Sequence, residues 1–131
     1  MPAHPLSFDH VHLVSSDPDA AASWYVDKLD GQIANRYELR GAPQIFVAVG
    51  DSTLIIRGQR TGETAADKPG LEWGVDHFGF SVSGDFDDYC GALKAAGVKF
   101  AMEPTQTNPT TRIAFITGPD GVSIELLKRA G

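Results

Sequence analysis

The chain has 131 residues, a length that suits one domain. Hydrophobic residues make up 42% and charged residues 21%, which argues against a disordered or fibrous chain. The formal net charge is -6, and no Lys/Arg cluster offers the basic face that a nucleic acid would need.

No apolar run approaches the roughly 20 residues that span a bilayer. The start, Met1-Pro2-Ala3-His4-Pro5, lacks the basic-then-apolar pattern of a signal peptide. Cys90 is the single cysteine and has no partner for an internal disulfide, which fits a reducing cytoplasm. The expectation is a soluble, acidic, cytoplasmic protein with neither nucleic acid nor membrane as a partner. His4, in its proline-flanked segment, is expected to be mobile.

The first predicted element is a strand within Asp9-His10-Val11-His12-Leu13-Val14-Ser15-Ser16, which alternates with period two. A helix follows from about Pro18 to Leu29 after an acidic, cap-like start. Gly31 is its expected stop, because glycine accepts the left-handed conformation cheaply. Strands are predicted near Ile33–Leu39, Gln44–Val49 and Thr53–Arg57, the last two joined by a tight turn at Gly50-Asp51-Ser52. A polar, glycine-bearing linker runs from Gly58 to Gly74.

The pattern then repeats. Asp76-His77-Phe78-Gly79-Phe80-Ser81-Val82-Ser83 resembles the first strand segment at a constant offset of 67 positions. A second helix is predicted from about Phe86 to Ala96, with Gly97 beyond it. Strands follow near Lys99–Met102, Arg112–Thr117 and Ser123–Lys128, with a turn at Pro119-Asp120-Gly121. The stretch from Glu103 to Thr111 holds Pro104, Pro109 and four threonines, and reads as a surface loop rather than a lid. The predicted fold class is therefore α+β: two tandem βαβββ modules, about 7–57 and 75–128, whose curved mixed sheets enclose a metal cleft within a single domain, 1–131.

The repeat gives His10 and His77 the same position in the two halves. A neutral imidazole is a good ligand for divalent first-row metals. Glu125 supplies a third group from the last strand, sharing a sheet face with Ser123 and Leu127 because side chains alternate. Two histidines and one carboxylate make a facial set that leaves coordination positions open for water or substrate. Aligning the closing hairpins with a one-residue gap puts Ile55 opposite Glu125, so three protein ligands are expected and no fourth. The plain alternative is two half-buried histidines at strand starts and a solvent-facing glutamate on an edge strand.

His12 shares the face of His10, and its counterpart is Gly79. It reads either as a proton carrier for bound substrate or as a filler of the interior that hydrogen-bonds a neighbour. Trp24, Tyr25 and Tyr89 read as helix residues packed on the sheet, and Cys90 as a small buried residue rather than a nucleophile. Arg57, Arg60 and Arg112 offer a clamp for an anionic group, or are solvated surface charges. No G-x-G-x-x-G, P-loop or G-x-S-x-G pattern occurs.

Taken together, Phe8-Asp9-His10-Val11-His12-Leu13, Asp17-Pro18-Asp19, Trp24-Tyr25, Asp76-His77-Phe78-Gly79-Phe80, Ala95-Ala96-Gly97-Val98 and the run from Phe115 to Leu126 resemble the vicinal oxygen chelate superfamily. That superfamily includes glyoxalase I, methylmalonyl-CoA epimerase, extradiol dioxygenases, and fosfomycin- and bleomycin-resistance proteins. The resemblance implies paired βαβββ cups around one divalent metal ion (Fe, Ni, Co, Mn or Zn), held by His10, His77 and Glu125. It implies a small-molecule substrate that chelates through adjacent oxygens, and a homodimer. The activity expected first is that of a lyase or isomerase working through an enediolate-like intermediate, with His12 and Glu125 as catalytic groups and His12 or metal-bound water as the base. Two other activities within the same resemblance are Fe(II) ring-cleavage dioxygenation and non-catalytic drug binding. Ile55 departs from the glyoxalase I and epimerase patterns, which carry glutamate or glutamine there. Phe115 departs from the dioxygenase pattern, which carries tyrosine.

Overall fold

The computed structural model describes residues 5–66 and 70–130. His4 and part of the linker lie outside them. The chain divides into two compact units, 1–66 and 67–131, and each is built in the order strand, helix, strand, strand, strand.

In the first unit these are β1 (Val11–Val14), α1 (Pro18–Leu29), β2 (Gln32–Leu39), β3 (Ala42–Val49) and β4 (Ser52–Arg57). The curved sheet has the order β1-β4-β3-β2. β1 pairs parallel with β4, and the hairpin neighbours pair antiparallel. α1 starts where Asp17 accepts a hydrogen bond from the Ala20 N–H at 3.2 Å, one turn into the helix. Pro18 in the first turn costs nothing, since its missing N–H would have no helical partner. The helix ends differently from the expectation. Asp30, not Gly31, takes the left-handed conformation, with φ 56°. Gly31 is needed for another reason: a Cβ there would lie 3.0 Å from Val47 Cγ1 and 3.1 Å from the Tyr25 carbonyl oxygen.

The apolar spacing of α1 places Ala21, Ala22, Tyr25 and Leu29 on one buried stripe against β3 and β4. Ile45, Val47, Leu54 and Ile56 meet it from the sheet, each almost wholly buried. Full burial of such a side chain is worth about 1.5–3 kcal/mol. This stripe fixes which sheet face is left for chemistry. Because side chains alternate, His12, Val14, Gln44, Phe46, Ile55 and Arg57 share the opposite face.

The second unit contains β5 (Phe78–Ser81), α2 (Phe86–Ala95), β6 (Lys99–Asn108), β7 (Thr111–Thr117) and β8 (Ser123–Arg129). The order is β5-β8-β7-β6, with β5 parallel to β8. Asp85 caps α2 by accepting from the Asp88 N–H at 2.9 Å. Gly97, beyond this helix, does take a positive φ of 88°. Phe86, Cys90 and Leu93 are the buried residues of α2, and Ala114, Ile116, Ile124 and Leu126 are the buried residues of β7 and β8.

One predicted element is corrected. Glu103–Thr111 is not a surface loop: β6 continues to Asn108 and turns directly into β7. Threonine favours extended, half-buried backbone. Pro104 is tolerated because β6 is an edge strand. Three register shifts, between Phe100 and Met102, Met102 and Thr105, and Gln106 and Asn108, absorb the irregularity.

Candidate functional site

Both repeat histidines stand one residue ahead of their strands, His10 before β1 and His77 before β5. Each is held by the aspartate that precedes it. His10 Nδ1 lies 2.7 Å from Asp9 Oδ2, and His77 Nδ1 lies 2.8 Å from Asp76 Oδ2. A carboxylate only accepts, so Nδ1 carries the proton in both dyads. That leaves Nε2 as the nitrogen able to serve as a ligand. A histidine ligand backed by a carboxylate on its other nitrogen is a recurring arrangement at metal sites, since it fixes the ring and raises its basicity.

In the second unit His77 Nε2 lies 3.0 Å from Glu125 Oε1. With both ring nitrogens facing carboxylates, protonation of the ring is favoured, since an imidazolium can donate to each. Its pKa is raised, first by the Asp76 hydrogen bond, with partial burial opposing and Glu125 adding in the same direction. The Phe115 ring meets the imidazole edge-on, with centroids 4.9 Å apart at 84°. Phe115 also pairs with Glu125 across β7 and β8. The ring therefore abuts both donors.

Two of the three predicted ligands, His77 and Glu125, are thus in contact, while His10 belongs to the first unit. Within neither unit do three His, Cys, Asp or Glu side chains among the described residues gather around one point. The donor chemistry suits a divalent cation. Two ligand atoms about 2.0–2.2 Å from one ion can share it at the His77–Glu125 separation.

The parallel ladders establish the internal equivalence residue by residue. Ile55 lies opposite His12, and Glu125 lies opposite Gly79. Ile55 also pairs with Phe46 as Glu125 pairs with Phe115. An aliphatic side chain, 6% exposed, thus takes the place of the carboxylate in the first sheet. His12 is exposed on the same face as Ile55, its ring edge-on to His10 with centroids 5.8 Å apart. Partial burial lowers its pKa, and Arg57, His10 and Arg60 lower it further. The lowered pKa favours the neutral imidazole, the form able to accept a proton.

The three arginines separate. Arg57 and Arg60 belong to the first sheet face and its following loop. Arg112 is bound to Asp87 of α2, Nη2 to Oδ1 at 2.8 Å. Asp9 and Asp76 have no role from sequence alone, although the repeated Asp-His pair is the signal for one. Nor does the sequence single out Glu63, which pairs with Arg57 from a loop with no periodicity to mark it.

Comparison with known proteins follows the same line. A family model described as the glyoxalase/bleomycin resistance protein/dioxygenase superfamily matches residues 7–126. A glyoxalase/bleomycin resistance protein/dioxygenase domain from Frankia sp. EAN1pec superposes with a TM-score of 0.79 at 25% identity, covering 96% of this chain and 93% of that one. A glyoxalase family protein from Bacillus cereus gives 0.79 at 22% identity, covering 98% and 97%. A glyoxalase I variant from Zea mays gives 0.73 at 22% identity, covering 94% of this chain and 45% of that longer one. No curated protein matches the sequence.

Proposed function

Since the chain belongs to the glyoxalase/bleomycin resistance protein/dioxygenase superfamily, we propose that it is a divalent-metal-dependent enzyme acting on a small substrate that chelates through two oxygens. The reaction class is lyase or isomerase. The observation that carries this reading is the His77–Glu125 contact at 3.0 Å, with the second nitrogen of His77 held by Asp76. His10, His77 and Glu125 would hold the ion. When bound, the ion supplies Lewis acidity, polarising a substrate oxygen.

The remaining work falls to the chain. Asp9 and Asp76 hold Nδ1 of each ring and so leave Nε2 for the ion. Phe115 excludes water from one side of His77. His12, in the neutral form that its lowered pKa favours, accepts the substrate proton at its free nitrogen. Superfamily habit supports a homodimer. So do the exposed Leu6, Phe8, Leu71, Trp73 and Val75, which a monomer leaves in water. The cytoplasm is the proposed compartment, on the free, buried Cys90.

Titration calorimetry of chelator-treated protein with Ni, Co, Mn and Zn, and anaerobically with Fe(II), tests the reading. At least one ion should bind at micromolar levels or tighter, and His10→Ala, His77→Ala and Glu125→Gln should each lose it. The absence of binding by every ion would sink the proposal. Ile55 favours a second reading within the same site. A three-ligand Fe(II) centre has room for dioxygen, and oxygen uptake on catechol-like diols would select it.

A further inference from the structure

Arg57 ends β4 on the face that carries His12 and Val14. Its side chain is only 18% exposed, whereas that of its partner Glu63 is 42% exposed. Arg57 Nη1 donates to Glu63 Oε1 and to the Gly58 carbonyl, the latter at 3.0 Å, and Nη2 reaches Glu63 Oε2 at 3.3 Å. Both carboxylate oxygens thus meet the guanidinium fork. The Arg60 N–H adds a third hydrogen bond, to Glu63 Oε1 at 2.8 Å.

The second arginine is anchored from below. Arg60 Nη2 donates to Gln44 Oε1 at 2.6 Å, and Gln44 Nε2 donates to the Tyr37 hydroxyl at 3.1 Å. Gln44 is 7% exposed, so the group that anchors Arg60 is itself buried. Beside the pair lies an open cavity of about 450 Å³ lined by Val14, Arg57, Gln59, Glu63 and Thr64. That volume is in the range of small-ligand sites. The chain carries a net charge of -6, yet this face concentrates two guanidiniums within electrostatic reach of His12.

We propose that Arg57 and Arg60 form a carboxylate-binding subsite, in which Glu63 is an internal carboxylate that the ligand's own carboxylate displaces. Glu63 demonstrates the geometry the site accepts: a planar, two-oxygen group across the Arg57 fork. Its hold is exchangeable, because Glu63 rides on the loop after β4 and its own side chain is 42% exposed, open to competition by a second carboxylate. Arg60 stays in place through Gln44 when Glu63 leaves, so the subsite is already built. Extending this subsite to the substrate rests on the enzymatic reading above. It makes that substrate a carboxylic acid whose anion lies on the sheet face that carries His12. The subsite itself requires no metal.

The test uses the full chain stripped of metal, titrated with malonate and followed by NMR of the arginine side-chain N–H signals. Glu63→Gln keeps the size of the side chain and removes the competing charge, so malonate should bind about tenfold more tightly than to the native chain. Arg57→Gln should reduce binding about tenfold or more, and Arg57→Lys should recover only part of it. A gain of binding by Glu63→Gln is an outcome that misfolding does not imitate. Unchanged affinity in Glu63→Gln or in Arg57→Gln overturns the proposal. Inorganic phosphate binding more tightly than malonate overturns the carboxylate assignment. Metal titration of the native chain is separate: no malonate binding with metal binding intact refutes the subsite alone, and malonate binding with no metal binding refutes the metal reading alone.

Discussion

Gly79 lies directly opposite Glu125 in the parallel ladder of β5 and β8, and a Cβ on Gly79 would come within 3.3 Å of the Glu125 Cβ. It would also stand 3.3 Å from the Glu125 carbonyl oxygen and 3.4 Å from Leu127 Cδ2. The bare glycine gives the carboxylate its room. Gly79→Val should keep the fold, since valine suits a strand, while pushing Glu125 away from His77. Divalent-metal affinity should fall about tenfold, as it does when the support of a ligand is disturbed. Calorimetry measures it, and unchanged affinity would show that Glu125 does not need this space.

The His77 imidazole, gaining Asp76 and Glu125 as partners, has a folded pKa above its unfolded value. Its contribution to stability is fully present below the unfolded pKa and is lost as pH rises through the folded one. Metal-free protein should therefore lose some stability across the window just above the ordinary histidine range. NMR titration should place His77 above His12, whose pKa is lowered. Asp76→Asn should bring His77 down the most and Glu125→Gln by less. The reverse order would contradict the hydrogen-bond assignment.

Cys90 is buried in α2, and its thiol is pushed up to about 11, first by burial and then by Asp87. At pH 8 the thiolate fraction is small and access is poor. A disulfide reagent should react slowly with native protein and rapidly after denaturation. Rapid labelling of the native chain would place the thiol at the surface.

Asp17 and Asp85 cap their helices through the same bond to the third residue on. Asp17→Ala and Asp85→Ala should each cost about 1 kcal/mol. Lying in different units with no shared partner, they should add in the double variant to within about 0.5 kcal/mol. Denaturant unfolding monitored by circular dichroism measures both. A strongly non-additive double variant would mean that the two helices are coupled.

The parts that were legible in the sequence share one origin: a residue type constrained by its neighbours at short range. Alternation marked β1 and β5, apolar spacing marked α1, and the offset paired His10 with His77. The one-residue gap that set Ile55 against Glu125 was readable because both hairpins are tight. What escaped was decided by tertiary context. Pro104 hid the continuation of β6, since nothing local says that a strand will lie at an edge. Asp30 took the left-handed position because Gly31 was required where Val47 and Tyr25 come close. Arg57 looked like a solvated charge, and only the fold shows it largely sunk in the sheet face with Glu63 brought over it.

The parallel pairing of β1 with β4 has a consequence for how the chain is made. In the first sheet, among the described residues, β1 has no neighbour except β4, the last of its strands to be synthesised. Val11–Val14 therefore waits, unpaired, until Ser52–Arg57 has left the ribosome, and closing that long loop comes last. Every strand of this sheet precedes His77 in the chain. The second sheet repeats the delay, because β5 depends on β8 at the far end of the chain. Glu125, carried on β8, reaches His77 only at that final step.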